Sequence, residues 1–291
     1  MLRAMPGPLL LTDAPGLLYR AFFALPDSIT APDKRPVNAL LGSVNQVLQV
    51  VEQRGPRAVV MCFGQESADY RVQAFPAYHA QRPPMPDALR TQWEMAPELY
   101  EALGWPVRTH PELEADDLLH SYSAVESAAG GRTLILTADR DMFQCANEKV
   151  RILLQGGAKG EPLEMGTDEV RARYGVDPAQ VPDFIALRGD PSDGIPGAKG
   201  IGEKTAAELL RRHGTLEAAL AGAVREKPAV RRALIDQAGE LRMFRDLATL
   251  RDVDVARPPD AQTDWLSGAA AARELGMRRL ADRLERAATT G

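Results

Sequence analysis

At 291 residues the chain is long enough for roughly two structural units, and 45% apolar with 26% charged residues is the composition of a folded globular protein rather than a disordered one. No apolar run approaches the roughly 18 residues of a membrane span, the N-terminal Met-Leu-Arg-Ala-Met-Pro stretch is too short in its apolar part for a secretory signal, and only two cysteines, Cys62 and Cys145, exclude a disulfide framework and point to the reducing cytoplasm. The net charge of −5 speaks against nucleic acid until it is divided: residues 1–194 hold 18 basic and 26 acidic side chains, residues 195–291 hold 17 and 14, so an acidic first part precedes a mildly basic last part.

The first 155 residues alternate apolar strands with amphipathic helices. Strands are predicted over 8–12, 58–63, 133–137 and 150–154, and helices over 37–53, 87–103 and 114–128. This alternation predicts an α/β fold, a mostly parallel sheet with helices on both faces. Residues 64–86 break the rhythm. With Arg71, Tyr78, His79, Arg82 and the Arg-Pro-Pro-Met-Pro run at 82–86, they read as a long, exposed, basic-aromatic excursion, mobile or ordered by a ligand. After residue 165 the strands stop, and helices are predicted over 167–174, 182–188, 203–212, 216–221, 229–234 and 239–247, followed by an Ala- and Arg-rich tail that frays at its end.

Ligands of a parallel α/β sheet bind beyond the carboxyl ends of its strands. Two predicted strands end in acids there, Asp13 and Asp139, and Asp141 follows two residues on. Glu114, Asp116 and Asp117 crowd the first turn of a helix, and Asp190 and Asp193 lie in Gly-Asp-Pro-Ser-Asp-Gly-Ile-Pro-Gly. Each acid alone has an ordinary explanation as a helix cap, a dipole complement or an Asx turn. Eight at one sheet edge repel one another unless protonated or met by cations, and an all-oxygen set favours Mg²⁺ or Mn²⁺ over Zn²⁺. Further on, Gly197-Ala-Lys-Gly-Ile-Gly-Glu-Lys-Thr205 leads into a helix. Gly200 and Gly202 let a phosphate backbone approach the amides, and Lys199, Lys204 and Thr205 add contacts that carry no sequence information.

These motifs, with Leu-Tyr-Arg20-Ala-Phe, Tyr-Arg71, Tyr78-His-Ala-Gln-Arg82 and Tyr174-Gly-Val, resemble in order and spacing the structure-specific 5′ nucleases. That family comprises the 5′-exonuclease domains of bacterial DNA polymerase I, phage 5′ nucleases and flap endonucleases. The resemblance runs from about Leu9 to about Leu250. It implies a PIN-like nuclease domain at 1–165 with a helical arch near 64–103, and a helical DNA-binding domain at 166–291 whose helix–three-turn–helix contains the 197–205 hairpin, often with K⁺. It also implies two divalent ions, Mg²⁺ or Mn²⁺: one held by Asp13, Glu114 and Asp116, the other by Asp139, Asp141, Asp190 and Asp193, with Asp117 assisting through water or bridging. Arg71 and Arg82 would draw in the scissile phosphate, with His79 the weaker third. Tyr19, Arg20 and Tyr78 would contact DNA together with Gly197 and the hairpin residues. The implied activity is 5′-3′ exonuclease and 5′-flap endonuclease action on flaps, nicks and duplex ends in replication and repair, by a stand-alone, monomeric, cytoplasmic and nucleoid-associated member.

The sequence departs from that family at Gly64, where a carboxylate is the rule, and at His79, where the arch motif usually has lysine. The expectation is that waters fill the missing ligand position and that Gly64→Asp strengthens Mg²⁺ binding. A second reading, a flap- or nick-binding protein with weakened or no catalysis, rests on Gly64. A third, an RNA-cleaving PIN nuclease, explains the acids but neither the hairpin nor the C-terminal half.

Overall fold

The computed structural model describes residues 7–156 and 161–290; residues 1–6, which bear on the signal-peptide expectation, and residue 291, the tip of the fraying tail, lie outside them. Four strands fall where the apolar runs place them: β1 (Leu9–Asp13), β2 (Ala58–Cys62), β4 (Thr133–Thr137) and β5 (Val150–Leu154). Two others, β3 (Val107–Arg108) and β6 (Leu163–Met165), are too short to leave a periodic signal. The sheet order is β3-β2-β1-β4-β5-β6, parallel except for the antiparallel β6. Leu9 pairs with Ala58 on one side and Thr133 on the other. The connections therefore diverge at β1 and β4, and the crevice of a doubly wound sheet opens at their carboxyl ends.

Both faces are covered, which is why the central strands are apolar throughout. Leu9, Leu11, Val60, Ile135 and Ile152 face one core, and Leu10, Val59, Met61, Leu134 and Leu153 face the other, as a two-residue period requires. The second core is filled by α1 (Ala14–Ala24), α2 (Asn38–Arg54) and α4 (Asp87–Ala102). The first receives α5 (Ala115–Ala128) and most of the helices after β6: α6 (Thr167–Tyr174), α7 (Val181–Arg188), α8 (Glu203–His213), α9 (Leu216–Ala221), α10 (Pro228–Asp236) and α11 (Ala238–Ala248).

Three differences from the sequence expectation have physical causes. The helix α1 was not expected, because Leu17, Leu18, Phe22 and Phe23 make it apolar around most of its circumference and leave no period to read. Residues 64–86 are not a wholly exposed excursion: α3 (Asp69–Ala74) forms within them, and Arg71, Tyr78 and His79 are buried. The Ala- and Arg-rich tail forms α12 (Trp265–Glu274) and α13 (Arg278–Thr290), whose Ala269, Ala272, Leu280 and Leu284 enter the α1–α2–α4 core. Residues 249–264 carry the chain there as a strap: Ala261 donates its N–H to Arg57 O at 2.9 Å, and Trp105 Nε1 donates to Thr263 Oγ1 at 2.9 Å. Arg283 then ties α13 to Glu52 of α2 at 2.7 Å. Among the described residues no helix is long and apolar enough to cross a membrane, and both cysteines are buried and free.

Candidate active site

At the crevice lies a cavity of about 1150 Å³, lined by Asp13, Glu114, Asp116, Asp139, Asp141, Asp190 and Asp193, together with Arg71, His79, Arg82, Arg140 and Arg188. Seven of the eight expected acids thus reach one space. Asp13 ends β1 and caps α1, accepting the Gly16 N–H and the Thr137 hydroxyl, each at 2.9 Å. A Cβ on Gly16 would sit 2.2 Å from Asp13 Oδ2, so a larger residue there would have to push that carboxylate aside. Asp139 accepts the Asp141 N–H at 2.8 Å, and Asp190 accepts the Ser192 N–H at 2.8 Å and Arg188 at 3.2 Å.

The acids divide by their company. Glu114 is met by Arg71 at 3.0 Å, Tyr78 Oη at 3.1 Å and the Ala68 N–H at 2.7 Å. Asp193 is met by His79 Nε2 at 3.1 Å and Arg82 at 3.0 Å. By contrast, Asp13, Asp116, Asp139 and Asp141 have no ion-pair partner among the described residues. Burial first, and then neighbouring carboxylates, push up Asp116 (through Asp139, Asp13 and Glu114) and Asp141 (through Asp139, Asp193 and Asp190), both well above the usual range. Asp139 rises to about 7 by burial and then by Asp193, against the Asp141 amide that lowers it. Burial also raises Asp13, opposed by its bonds to Gly16 and Thr137. Among the described residues no three Asp, Glu, His or Cys side chains already close on a single ion point. The site is an open ring of charge.

Several expected residues are placed or paired otherwise than expected. Asp117 is wholly buried behind the cavity, receiving Arg71 at 3.1 Å and the Arg251 N–H at 2.8 Å. Arg71 is 2% exposed and also donates Nε to Leu247 O, so its guanidinium is committed to the interior. Tyr78 buries its ring and stacks on His79 at 3.8 Å. His79 is not the exposed loop residue of the sequence expectation, nor is it free to meet a phosphate as the weaker third contact: at φ +55° it bridges Asp193 and Ser67 Oγ, the latter at 2.7 Å from Nδ1. Tyr19 lines the cavity, whereas its neighbour Arg20 lines a separate one of about 410 Å³ beside Gln46 and Gln155. The hairpin Gly197–Thr205 lies outside the main cavity. Lys199, Gly200, Gly202 and Lys204 are exposed and Thr205 half-buried, and the space beside both glycines is open, so their backbone faces outward. Gly197 is internal, with its would-be Cβ 2.3 Å from Gly189 N. Sequence reasoning missed Thr137, Ser67 and Arg188; the signal for Thr137 and Arg188 was their place two residues before Asp139 and Asp190.

Gly64 requires a correction. A Cβ there would lie 2.4 Å from Ala115 N and 2.6 Å from Leu113 O, because the chain presses on the backbone that starts α5. Gly64→Asp is therefore expected to displace the segment bearing Glu114 and Asp116 and to cost roughly 1–3 kcal/mol, instead of simply adding a ligand. Urea unfolding of the variant checks this; an unchanged midpoint refutes the clash.

Residues 8–175 match the family model described as the 5′-3′ exonuclease N-terminal resolvase-like domain, and residues 176–264 match the 5′-3′ exonuclease C-terminal SAM fold. The chain is 36% identical over 250 residues to the 5′-3′ exonuclease of Mycobacterium tuberculosis, covering 79% of this chain and 78% of that one. It is 37% identical over 264 residues to the thermostable DNA polymerase I of Thermus thermophilus, covering 88% of this chain but 31% of the polymerase; it spans about a third of such relatives. In fold it is similar to the T5 5′-exonuclease with divalent zinc bound (TM-score 0.69, 18% identity, covering 96% and 97% of the two chains). It is likewise similar to the catalytic core of Rad2 in complex with a DNA substrate (TM-score 0.62, 15% identity, covering 96% and 92%). On its own motifs, its sheet and these matches, the chain belongs to the 5′-3′ exonuclease family, hydrolases that act on DNA.

Proposed function

We propose that the chain is a divalent-metal-dependent, structure-specific 5′ nuclease that hydrolyses phosphodiester bonds at 5′ flaps, nicks and duplex ends. One observation carries this reading: Asp13, Asp116, Asp139 and Asp141 line one cavity with no ion-pair partner among the described residues, and neighbouring carboxylates press against Asp116, Asp139 and Asp141. An all-oxygen set of that kind fits hard divalent ions such as Mg²⁺ or Mn²⁺. Asp13 and Asp116, with Glu114, would hold one ion; Asp139 and Asp141, with Asp190 and Asp193, would hold a second. Bound there, such ions supply an activated water and stabilisation of the leaving oxygen.

The protein's own groups do the rest. Arg82, 48% exposed at the rim, meets the phosphate entering the cavity once it leaves Asp193. Outside, Lys199, Lys204 and the open amides around Gly200 and Gly202 hold the duplex phosphates, with K⁺ at the hairpin as part of the same grip. On this reading the chain works on the nucleoid as a monomer. The test is cleavage of a 5′-flap DNA with Mg²⁺, with Mn²⁺ and with chelator. Metal-dependent release of the flap is the expected result; binding without cleavage under either metal transfers the case to the catalytically silent flap binder.

The same acids set a pH dependence. Asp139, at about 7, holds its proton more tightly when folded than the ordinary carboxyl of the unfolded chain, so its ionisation costs stability as pH rises toward 7. A divalent ion offsets that repulsion only when the carboxyls are ionised. Mn²⁺ is therefore expected to raise the melting temperature more at pH 8 than at pH 5.5, and equal shifts at both would contradict the assignment.

A further inference from the structure

Arg188 is a cavity-lining cation that neither the motifs nor the family resemblance singled out. It ends α7, and the next residue, Gly189 at φ +84°, turns the chain so tightly that a Cβ would meet Ile195 O and Pro196 O at 2.7 Å. That turn sets Arg188 beside Asp190, with Nη2 to Oδ2 at 3.2 Å. Its guanidinium carbon lies 5.4 Å from the centroid of the Tyr174 ring and 5.2 Å from that of Phe184, two aromatic faces that hold a cation in place.

The side chain is 17% exposed, and its Nε is buried with no hydrogen-bond partner among the described residues. Pinned this way, it cannot swing out to the rim as Arg82 can. An apolar side chain would fill the same slot without stranding a donor. What arginine adds here is its charge, inside the wall of a cavity otherwise rich in acids.

We propose that Arg188 is a resident counter-cation of the acid cluster, a positioning residue that holds Asp190 and weakens divalent-ion binding in the half of the site formed by Asp139, Asp141 and Asp190. An ion that takes Asp190 must draw its Oδ2 from Arg188 and then remain beside a fixed positive charge. This inference rests on the reading that the acids receive divalent ions.

The test is Mn²⁺ uptake by the full chain without DNA, followed by the loss of the free-Mn²⁺ paramagnetic resonance signal, for wild type, Arg188→Met and Arg188→Lys. One charge removed several ångströms away in a hydrated site corresponds to a dissociation constant for the weaker ion about five- to tenfold lower in Arg188→Met. Arg188→Lys, which keeps the charge, should stay near wild type. If Arg188→Met does not fold, Arg188→Gln carries the same arm. Unchanged or weaker uptake by the neutral variant overturns the proposal, as does equal tightening by lysine, which would assign the effect to shape. No Mn²⁺ uptake by wild type overturns the metal reading and this proposal with it, whereas uptake indifferent to residue 188 overturns this proposal alone.

Discussion

Asp141→Asn, alone or joined to Asp139→Asn, is expected to reduce cleavage of a 5′-flap DNA by roughly a thousandfold or more while the protein still binds that DNA. The two carboxyls follow the carboxyl end of β4, Asp141 buried and Asp139 half-buried, without an ion pair among the described residues; Asp139 raises the proton affinity of Asp141, and Asp193 raises that of both. Asparagine keeps the shape and still offers Asp141 N–H an acceptor at position 139, so the turn that follows β4 survives. What disappears is negative charge. The loss removes anionic oxygen from any divalent ion held there and relieves repulsion toward a phosphate backbone, so binding should hold or tighten. In the absence of metal the variants should melt no lower than wild type, which separates a lost ligand from a lost fold. Wild-type turnover by the double variant would sink the assignment of these acids.

The largest expected change in stability lies away from the cavity. Glu126 of α5 is 1% exposed and receives Arg57, itself 3% exposed, through both carboxylate oxygens, with Arg257 of the strap at 2.8 and 3.0 Å. Arg57 also donates to Pro258 O at 2.9 Å and to Asp260 at 2.7 Å. Gly131 leaves room for the carboxylate, since a Cβ there would overlap Oε1. Glu126→Ala leaves the buried Arg57 guanidinium only Pro258 O and the exposed Asp260 as partners, and loosens the strap at once. A cost of about 3–5 kcal/mol is expected, or roughly 6–20 °C in melting temperature for a chain of this size. Burial works against ionisation of Glu126, but the bonds from Arg57 and Arg257 prevail and hold it below the ordinary value. The contribution is thus fully present above the unfolded carboxyl's titration and fades as pH falls through the lower, folded one. Wild type and variant should converge in strongly acid solution; a gap that persists there would deny the ion pair its role.

The fold was legible wherever one physical rule governed a stretch. Apolar runs ending in Asp13 and Asp139 announced β1 and β4, and the amphipathic period of 203–212 announced α8. Rules failed where tertiary context decides: α1 has no polar face to betray its period, and β3 is a two-residue edge made by its neighbour β2. The candidate site was legible as an inventory but not as a set of pairings. Arg71 and Asp117 are both visible in the sequence as charges suited to phosphate and to metal, yet the structure gives them to each other. His79 could not be assigned from its loop, because its partners, Ser67 and Asp193, lie 12 and 114 residues away. Linear spacing reports which charges exist; only packing reports which are already neutralised.

The sheet order has a consequence in time. Asp13 and its partner Thr137 are 124 residues apart, and the other acids arrive on α5, after β4 and after α7. The full set of carboxyls comes together only when β1, α5, β4 and the segment after α7 are all in place, so the electrostatic cost of gathering them all falls late, when the β1–β4 seam and the helices on its face come home. An ion that binds only that finished arrangement has little to hold at the folding barrier and much to hold afterwards. Its effect belongs on the lifetime of the native protein, as a brake on unfolding, and hardly at all on the speed with which the chain first finds its fold.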